Sequence, residues 1–239
     1  MSVFSNSILS FWQQRFLPGN MVFSNQQQSV VIHPDAAYPL MQLLHGDDQQ
    51  WLCMTPEMAE RLQLHGPWPL TSAGLQAALQ QQGLEFYGED NLYYFPVSQR
   101  DTILNRPQAA HVRRLTSDDA ELFGAFEQSA SEQDLDDAYV ELDHWRVFGA
   151  IVDDRLVAAA SMYPWDNSKI ADMGVLTLPE YRGQGQGKAV VHALAKEAYQ
   201  QGYEPQYRHQ SHNLSSKAVA LGCGFQFFGQ RDVVLLPEE

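Results

Sequence analysis

The sequence predicts a mixed α/β protein in two parts, and three observations carry that expectation. Segments with strand-like and helix-like patterning alternate along the whole chain. The composition changes near Pro107. The stretch PEYRGQGQGKAVV, Pro179 to Val191, places three glycines at alternate positions between a strand-like and a helix-like run. A chain of 239 residues, 44% of them hydrophobic, can bury one large or two small cores, and the usual ~100 to 200 residues per domain slightly favours two. Residues 1–108 contain no lysine and carry two glutamine runs, Gln26 to Gln28 and Gln80 to Gln82. The expected division is an N-terminal α/β domain of unknown role over 1–108 and a second domain over 109–239.

In the first part SVVIHP, QWLCMTP and EFYGEDNLYYFPV read as strands. NSILSFWQQRF, PEMAERLQL and TSAGLQAALQQQ read as helices, with Asn, Thr or Ser near the cap position. Both glutamine runs read as helix surface, because apolar residues keep helical spacing through them. In the second part HVRRL is a strand and SDDAELFGAFEQ a helix, followed by an acidic stretch. Then come the strands WRVFGAIVDD, RLVAAASMYPW and KIADMGVLTL, the helix KAVVHALAKEAYQQ, the strand PQYRHQS, the helix LSSKAVAL and a last strand, FQFFGQRDVVLL. Asp153 and Asp154 fall where a two-residue hairpin turn belongs. Val190, Val191, Leu194 and Ala198 make the core face of the helix after the glycines.

The totals narrow the function. Fifteen Lys+Arg against 29 Asp+Glu give a net charge of -14, which repels nucleic-acid phosphates and anionic lipid and favours a cationic or neutral partner. Cys53 and Cys223 are too few and too far apart for a disulfide framework or a cysteine-based zinc site. No apolar run approaches the ~18 residues of a membrane span, and the first residues lack a signal-peptide pattern. A cytoplasmic location, with no nucleic-acid, membrane or metal partner, is the expectation.

A loop between a strand and a helix start, with glycines letting backbone approach a ligand, is an anion cradle: free N–H groups and the helix dipole both point outward. Two common versions fail. The dinucleotide pattern GxGxxG would need glycine at Lys188 or Val190, and the nucleotide-hydrolase loop would need glycine at Arg182 and a hydroxyl residue at Ala189. What remains, Arg182-Gly183-Gln184-Gly185-Gln186-Gly187, resembles the central motif of the GNAT superfamily of acyl-CoA-dependent N-acetyltransferases. A second stretch, NLSSKAVALGCGF, with Asn213, Ser216, Gly224 and Phe225, resembles that superfamily's later motif and follows in the expected order.

The resemblance covers roughly 110–236 and implies a GNAT fold, a mixed central sheet flanked by helices and preceded here by a smaller α/β domain. Within the superfamily the chain is similar to a branch with such a leading domain, which includes an antibiotic self-resistance acetyltransferase. By the same resemblance acetyl-CoA is the co-substrate. Its pyrophosphate would lie on Arg182, Gly183, Gln184, Gly185, Gln186, Gly187 and Lys188, and its pantetheine arm along Val175, Leu176 and Thr177, with Asn213 and Ser216 completing the site. The reaction implied is acetyl transfer to the primary amine of a small molecule, by direct attack in a ternary complex.

An aliphatic amine has an ordinary pKa of ~10.4, so the site must supply a base or a water chain to one. Many GNAT enzymes carry a tyrosine seven residues after the motif asparagine to protonate the leaving thiolate; here that position is Ala220. Asp172 is the expected base and His212 the expected replacement acid, with Tyr207 a further candidate. The acidic stretch SEQDLDDAYVELDHW stands where acceptor-contacting helices are expected and would attract a cationic amine. Tyr163, Trp165, Tyr203 and Tyr207 are candidate acceptor-side aromatics. The competing expectation, favoured by Ala220, is a catalytically silent acyl-CoA-binding module.

Overall fold

The computed structural model describes residues 3–46 and 49–236. Its packing divides the chain elsewhere than at Pro107. Residues up to Ile8 with Tyr93–Phe227 form a larger unit, and Leu9–Leu92 with the residues from Phe228 onward form a smaller one. The reason is where the apolar side chains go. Tyr93, Phe95 and Ile103, N-terminal to the expected cut, fill the larger core, whereas Val234 of the last strand fills the smaller. Both units build from the elements α1 (Asn6–Phe16), β1 (Asn20–Ser24), β2 (Gln28–Ile32), β3 (Leu40–His45), β4 (Gln49–Met54), α2 (Pro56–Arg61), α3 (Ser72–Gln81), β5 (Tyr87–Tyr94) and α4 (Arg100–Asn105). These are followed by β6 (Val112–Leu115), α5 (Ala120–Glu127), α6 (Glu132–Ala138), β7 (Arg146–Val152), β8 (Arg155–Pro164), β9 (Ile170–Thr177), α7 (Gln186–Gln200), β10 (Glu204–Gln210), α8 (Leu214–Cys223) and β11 (Gln226–Val234).

In the smaller unit the strand order is β1-β2-β4-β3-β11, with β2 and β4 parallel. Thr55 and Thr71 cap α2 and α3, their hydroxyl oxygens accepting from the amides of Met58 and Gly74. Leu52, Met54, Leu75 and Leu79 pack the space beneath. The sequence reading missed β1 and β3; the run LMQLLH of β3 suits a buried helix or a buried strand equally well by spacing. It also misplaced Gln26 to Gln28, which lie in a turn and at the start of β2 rather than on a helix. Gln28 is buried and begins a chain of side-chain amides that donates to Gln50 (2.5 Å), then to Gln42 (2.7 Å), then to the Asp232 carboxylate (2.9 Å). Burial raises the Asp232 carboxyl above its usual value, opposed by the hydrogen bonds from Gln42 and Gln230.

In the larger unit the order is β10-β9-β8-β7-β6, with β9 and β10 parallel and the other pairs antiparallel. Asp153 and Asp154 form the β7–β8 turn, with φ of 49° and 60°, the left-handed pair that such a tight hairpin requires. Helix α7 buries Val190, Val191, Leu194 and Ala198, as its spacing predicts, together with His192. The acidic stretch folds as α6, capped by Ser131, whose hydroxyl accepts from the Asp134 amide (3.1 Å). Both cysteines are free and buried, and burial pushes the thiols of Cys53 and Cys223 up to about 11 and about 12.

Candidate active site

The parallel pairing of β9 with β10 stops at Met173–Tyr207. Beyond it β9 continues to Thr177, paired on its other side with β8, and β10 continues to Gln210. The peptide groups of Gly174–Thr177 therefore face a gap between two strands, where an extended ligand can add as a strand would. Where the strands part, α6 packs closely on β9: the carbonyl oxygens of Ala138 and Tyr139, at the end of α6, lie over Gly174 where a side chain would stand.

At the end of β9 the chain turns through Gly183 and Gly185, with φ of +74° and +84°, into α7. No side chain caps this helix and no acidic residue occupies its first turn, so its leading N–H groups stay available to an anion. A Cβ at Gly183 or Gly185 would meet nothing within 4 Å, whereas at Gly187 it would come 2.8 Å from the Thr177 hydroxyl. The glycines thus have separate reasons: left-handed backbone at the first two and close packing at the third. Open space over an uncapped helix start fits a diphosphate.

The side chains around this loop are already engaged. The Arg182 guanidinium donates to Asp134 (2.9 Å) and to the Thr177 carbonyl (3.1 Å), tying the loop to α6. Gln184 donates to the Glu180 carbonyl and Gln186 bonds His111. What Arg182, Gln184 and Gln186 offer a ligand is therefore backbone. Asn213 caps α8, its Oδ1 accepting from the Ser216 amide (2.9 Å), while the Ser216 hydroxyl meets the buried Tyr207 hydroxyl (3.1 Å).

Asp172 is 4% exposed, on β9 just before the strands part. Its Oδ1 accepts from Gln206 (2.7 Å), and its Oδ2 from Tyr163 (3.1 Å) and from both Nε and Nη2 of Arg208 (3.2 and 3.1 Å). Gln206 in turn accepts from the Tyr94 hydroxyl. To take a proton from an amine, this carboxylate would have to release one of those donors. His212 stands apart from this network, exposed in the turn before α8.

A group outside the sequence-based candidates shares Tyr163 with Asp172. His144 is largely buried; its Nδ1 meets the Ser161 hydroxyl (2.8 Å), and its Nε2 lies 3.8 Å from the Glu141 carboxylate. Burial holds its imidazole below the usual value, against the pull of Glu141, Asp143 and Asp172. The rings of Tyr139 and Tyr163 each lie 5.0 Å from it. The only hint in the sequence was its place at the end of the acidic stretch. Glu141, Asp143 and His144 also hold possible metal-ligating atoms within 4.8 Å of one another, a spacing that exposed carboxylates commonly reach without an ion. Of the other candidate aromatics, Trp165 lies against Arg208, and Tyr203 packs on Trp145 and Lys169.

A mixed sheet opened between two parallel strands, with an uncapped glycine turn at the mouth of the opening, defines the GNAT fold. Residues 112–225, a little under half of the chain, match the acetyltransferase (GNAT) family, and that segment is a GNAT acetyltransferase domain. Among solved structures, an acetyltransferase of the GNAT family from Colwellia psychrerythraea is similar at 21% identity, over 68% of this chain and 61% of its own, with a TM-score of 0.51. The match spans less than two thirds of that protein's length. A conserved protein of unknown function from Staphylococcus epidermidis is similar at 13% identity, over 93% of this chain and 96% of its own, with a TM-score of 0.48. An aminoglycoside N-acetyltransferase in complex with CoA is similar at 18% identity, over 54% of this chain and 98% of its own, with a TM-score of 0.41. At such identities the likeness is one of fold. Among curated proteins none matches. No helix among the described residues is long and apolar enough to cross a membrane.

Proposed function

We propose that the protein is an N-acetyltransferase that moves an acetyl group from acetyl-CoA to the primary amine of a small molecule while both are bound. The observation that carries this reading is the gap opening after Met173–Tyr207 with the uncapped start of α7 at its mouth. Acetyl-CoA would bring an acetyl group activated as a thioester. Gly183 to Lys188 would hold its diphosphate, and the open peptide groups of Val175 to Thr177 would align its arm and supply a donor to the carbonyl oxygen.

The acceptor would enter beside α6, where Tyr139, Tyr163 and His144 meet and Glu141 and Asp143 add negative charge. For proton removal the sequence points to Asp172, and the geometry adds His144, which burial keeps neutral and therefore able to accept. Asp172 acts in this reading through the donors it orients, Tyr163 and Arg208. His212 remains the candidate proton donor to the thiolate.

Ala220 supports a second reading, a silent acyl-CoA-binding module, since it is fully buried and offers no acid. Calorimetric titration with acetyl-CoA, followed by thiol release across a panel of amines, separates the two. Binding with turnover supports the enzyme, binding without turnover the module. If Gly185→Val binds acetyl-CoA with undiminished affinity, the cradle assignment fails.

A further inference from the structure

Beyond the cradle, α7 carries Lys188, His192 and Lys196 at four-residue intervals, ~6 Å apart along the helix axis. The segment between α4 and β6 runs beside them. The Arg106 guanidinium donates to His192 Nδ1 (2.6 Å), His192 Nε2–H donates to the Cys223 carbonyl (2.8 Å), and the Lys196 ammonium donates to the Arg106 carbonyl (3.0 Å). A neutral histidine thus holds the guanidinium in place.

Between the two segments lies a cleft of about 120 Å³, lined by Arg106, Gln108, Ala189, His192 and Lys196 among others, with no carboxylate in its wall. It falls well short of the ~300 Å³ of a pocket for a whole small molecule and suits a single compact group. Among the described residues no carboxylate reaches ion-pair distance of Arg106, Lys188 or Lys196. In a chain with 29 Asp+Glu and only 15 Lys+Arg, two cations in the wall of one cleft, Arg106 and Lys196, with no acidic partner for either, describe an anion site. Lys188 stands one turn before His192 on the same helix, between the cradle and the cleft, without lining the cleft itself.

We infer that this cleft receives a phosphate monoester dianion, the 3′-phosphate on the ribose of coenzyme A, with Arg106 and Lys196 as its ligands and His192 as the residue that positions Arg106. The inference rests on the acyl-CoA reading above. It follows from continuity: Lys188 ends the diphosphate cradle, the basic row leads away from it along one helix, and the 3′-phosphate is one sugar removed from the diphosphate. Arg106 lies outside the family-matched residues 112–225, so one ligand of the subsite comes from this chain's own preceding segment.

The test is calorimetric titration of the full chain with coenzyme A and with dephospho-coenzyme A, which lacks only the 3′-phosphate, for the native protein and for Arg106→Gln/Lys196→Gln. The native protein should bind coenzyme A tighter by about tenfold or more, the worth of a hydrogen bond to a charged group. The double variant should lose that preference while keeping its affinity for dephospho-coenzyme A, which also shows that it is folded. Inorganic phosphate should lower the native preference by occupying the cleft. Equal affinity for the two compounds in the native protein, a preference kept in the variant, or an equal loss for both compounds overturns the subsite and leaves the acyl-CoA reading standing. If neither compound binds the native protein, that reading falls and the subsite with it.

Discussion

The carbonyl oxygen of Ala138 occupies the space that a side chain at Gly174 would need. Gly174 is the first residue of β9 beyond its last pair with β10, and Tyr139, next to Ala138, ends α6 in a left-handed conformation with φ of 45°. The seating of α6 beside the point where the sheet opens therefore depends on one missing Cβ. Gly174→Ala should lower stability by about 2–3 kcal/mol, as overpacking against fixed backbone does. Urea denaturation would measure it, and acetyl-CoA affinity should fall in the same variant. An unchanged midpoint would mean that α6 sits loosely and that Tyr139 is not held by the sheet.

Asp172 and Arg208 form a pair in which the carboxylate is 6% exposed and the guanidinium 30%. Removing the cation leaves a buried carboxylate with only neutral donors, so Arg208→Met should cost about 3 kcal/mol. Asp172→Asn should cost less, because the guanidinium it frees can reach water. Thermal unfolding of the two variants gives the order. In the activity assay, a rate loss of ~10²-fold or more in Asp172→Asn with unchanged acceptor KM would support Asp172 as the base. A smaller loss there, beside a large one in His144→Gln, would move that role to His144.

Installing the tyrosine that many relatives carry should not improve this protein. Ala220 is fully buried in the larger core, in the same cluster as Tyr207, Cys223 and Phe225. Ala220→Tyr should destabilise by at least ~1–3 kcal/mol, since the phenol has no free volume to enter. Differential scanning calorimetry would show the drop. A stable and more active variant would instead place position 220 beside the reacting thioester.

His192 gives stability a pH dependence of definite sign. Burial lowers its pKa first, the hydrogen bond to the Cys223 carbonyl opposes this, and the Arg106 and Lys188 charges lower it further. The unfolded chain, with an ordinary value of ~6.5, takes up its proton at a higher pH than the folded chain. The stabilisation is therefore complete above about pH 6.5 and lost as pH falls toward the folded value. His144, lowered mainly by burial, works in the same direction. His192→Gln should flatten the decline of the unfolding free energy between about pH 6.5 and 5 relative to the native protein; an identical slope would mean that His192 titrates normally.

Local chemistry was legible along the chain. The left-handed turn at Asp153–Asp154, the core face of α7, and the glycines before it each depend on residues within a few positions of one another, so spacing alone locates them. What depended on distant partners was not. Asp172 looks like an available base until Gln206, Tyr163 and Arg208 are seen around it. Arg182 looks like a phosphate ligand until Asp134, on a helix nearly fifty positions earlier, takes its guanidinium (2.9 Å).

By itself the sequence determined the mixed α/β class, most of the strands and helices, and the glycine turn that makes a bare helix start. Propensity, periodicity and left-handed backbone are properties of short segments. Only the tertiary structure decided where the units part, because Tyr93 and Val234 choose their cores by packing rather than by position in the chain. It also decided which charges are spent on one another and which stay open. Asp172 is taken by Arg208, whereas Arg106 and Lys196 line a cleft with no carboxylate. Pairing at ~3 Å requires two residues to meet in space, and no local pattern records such a meeting.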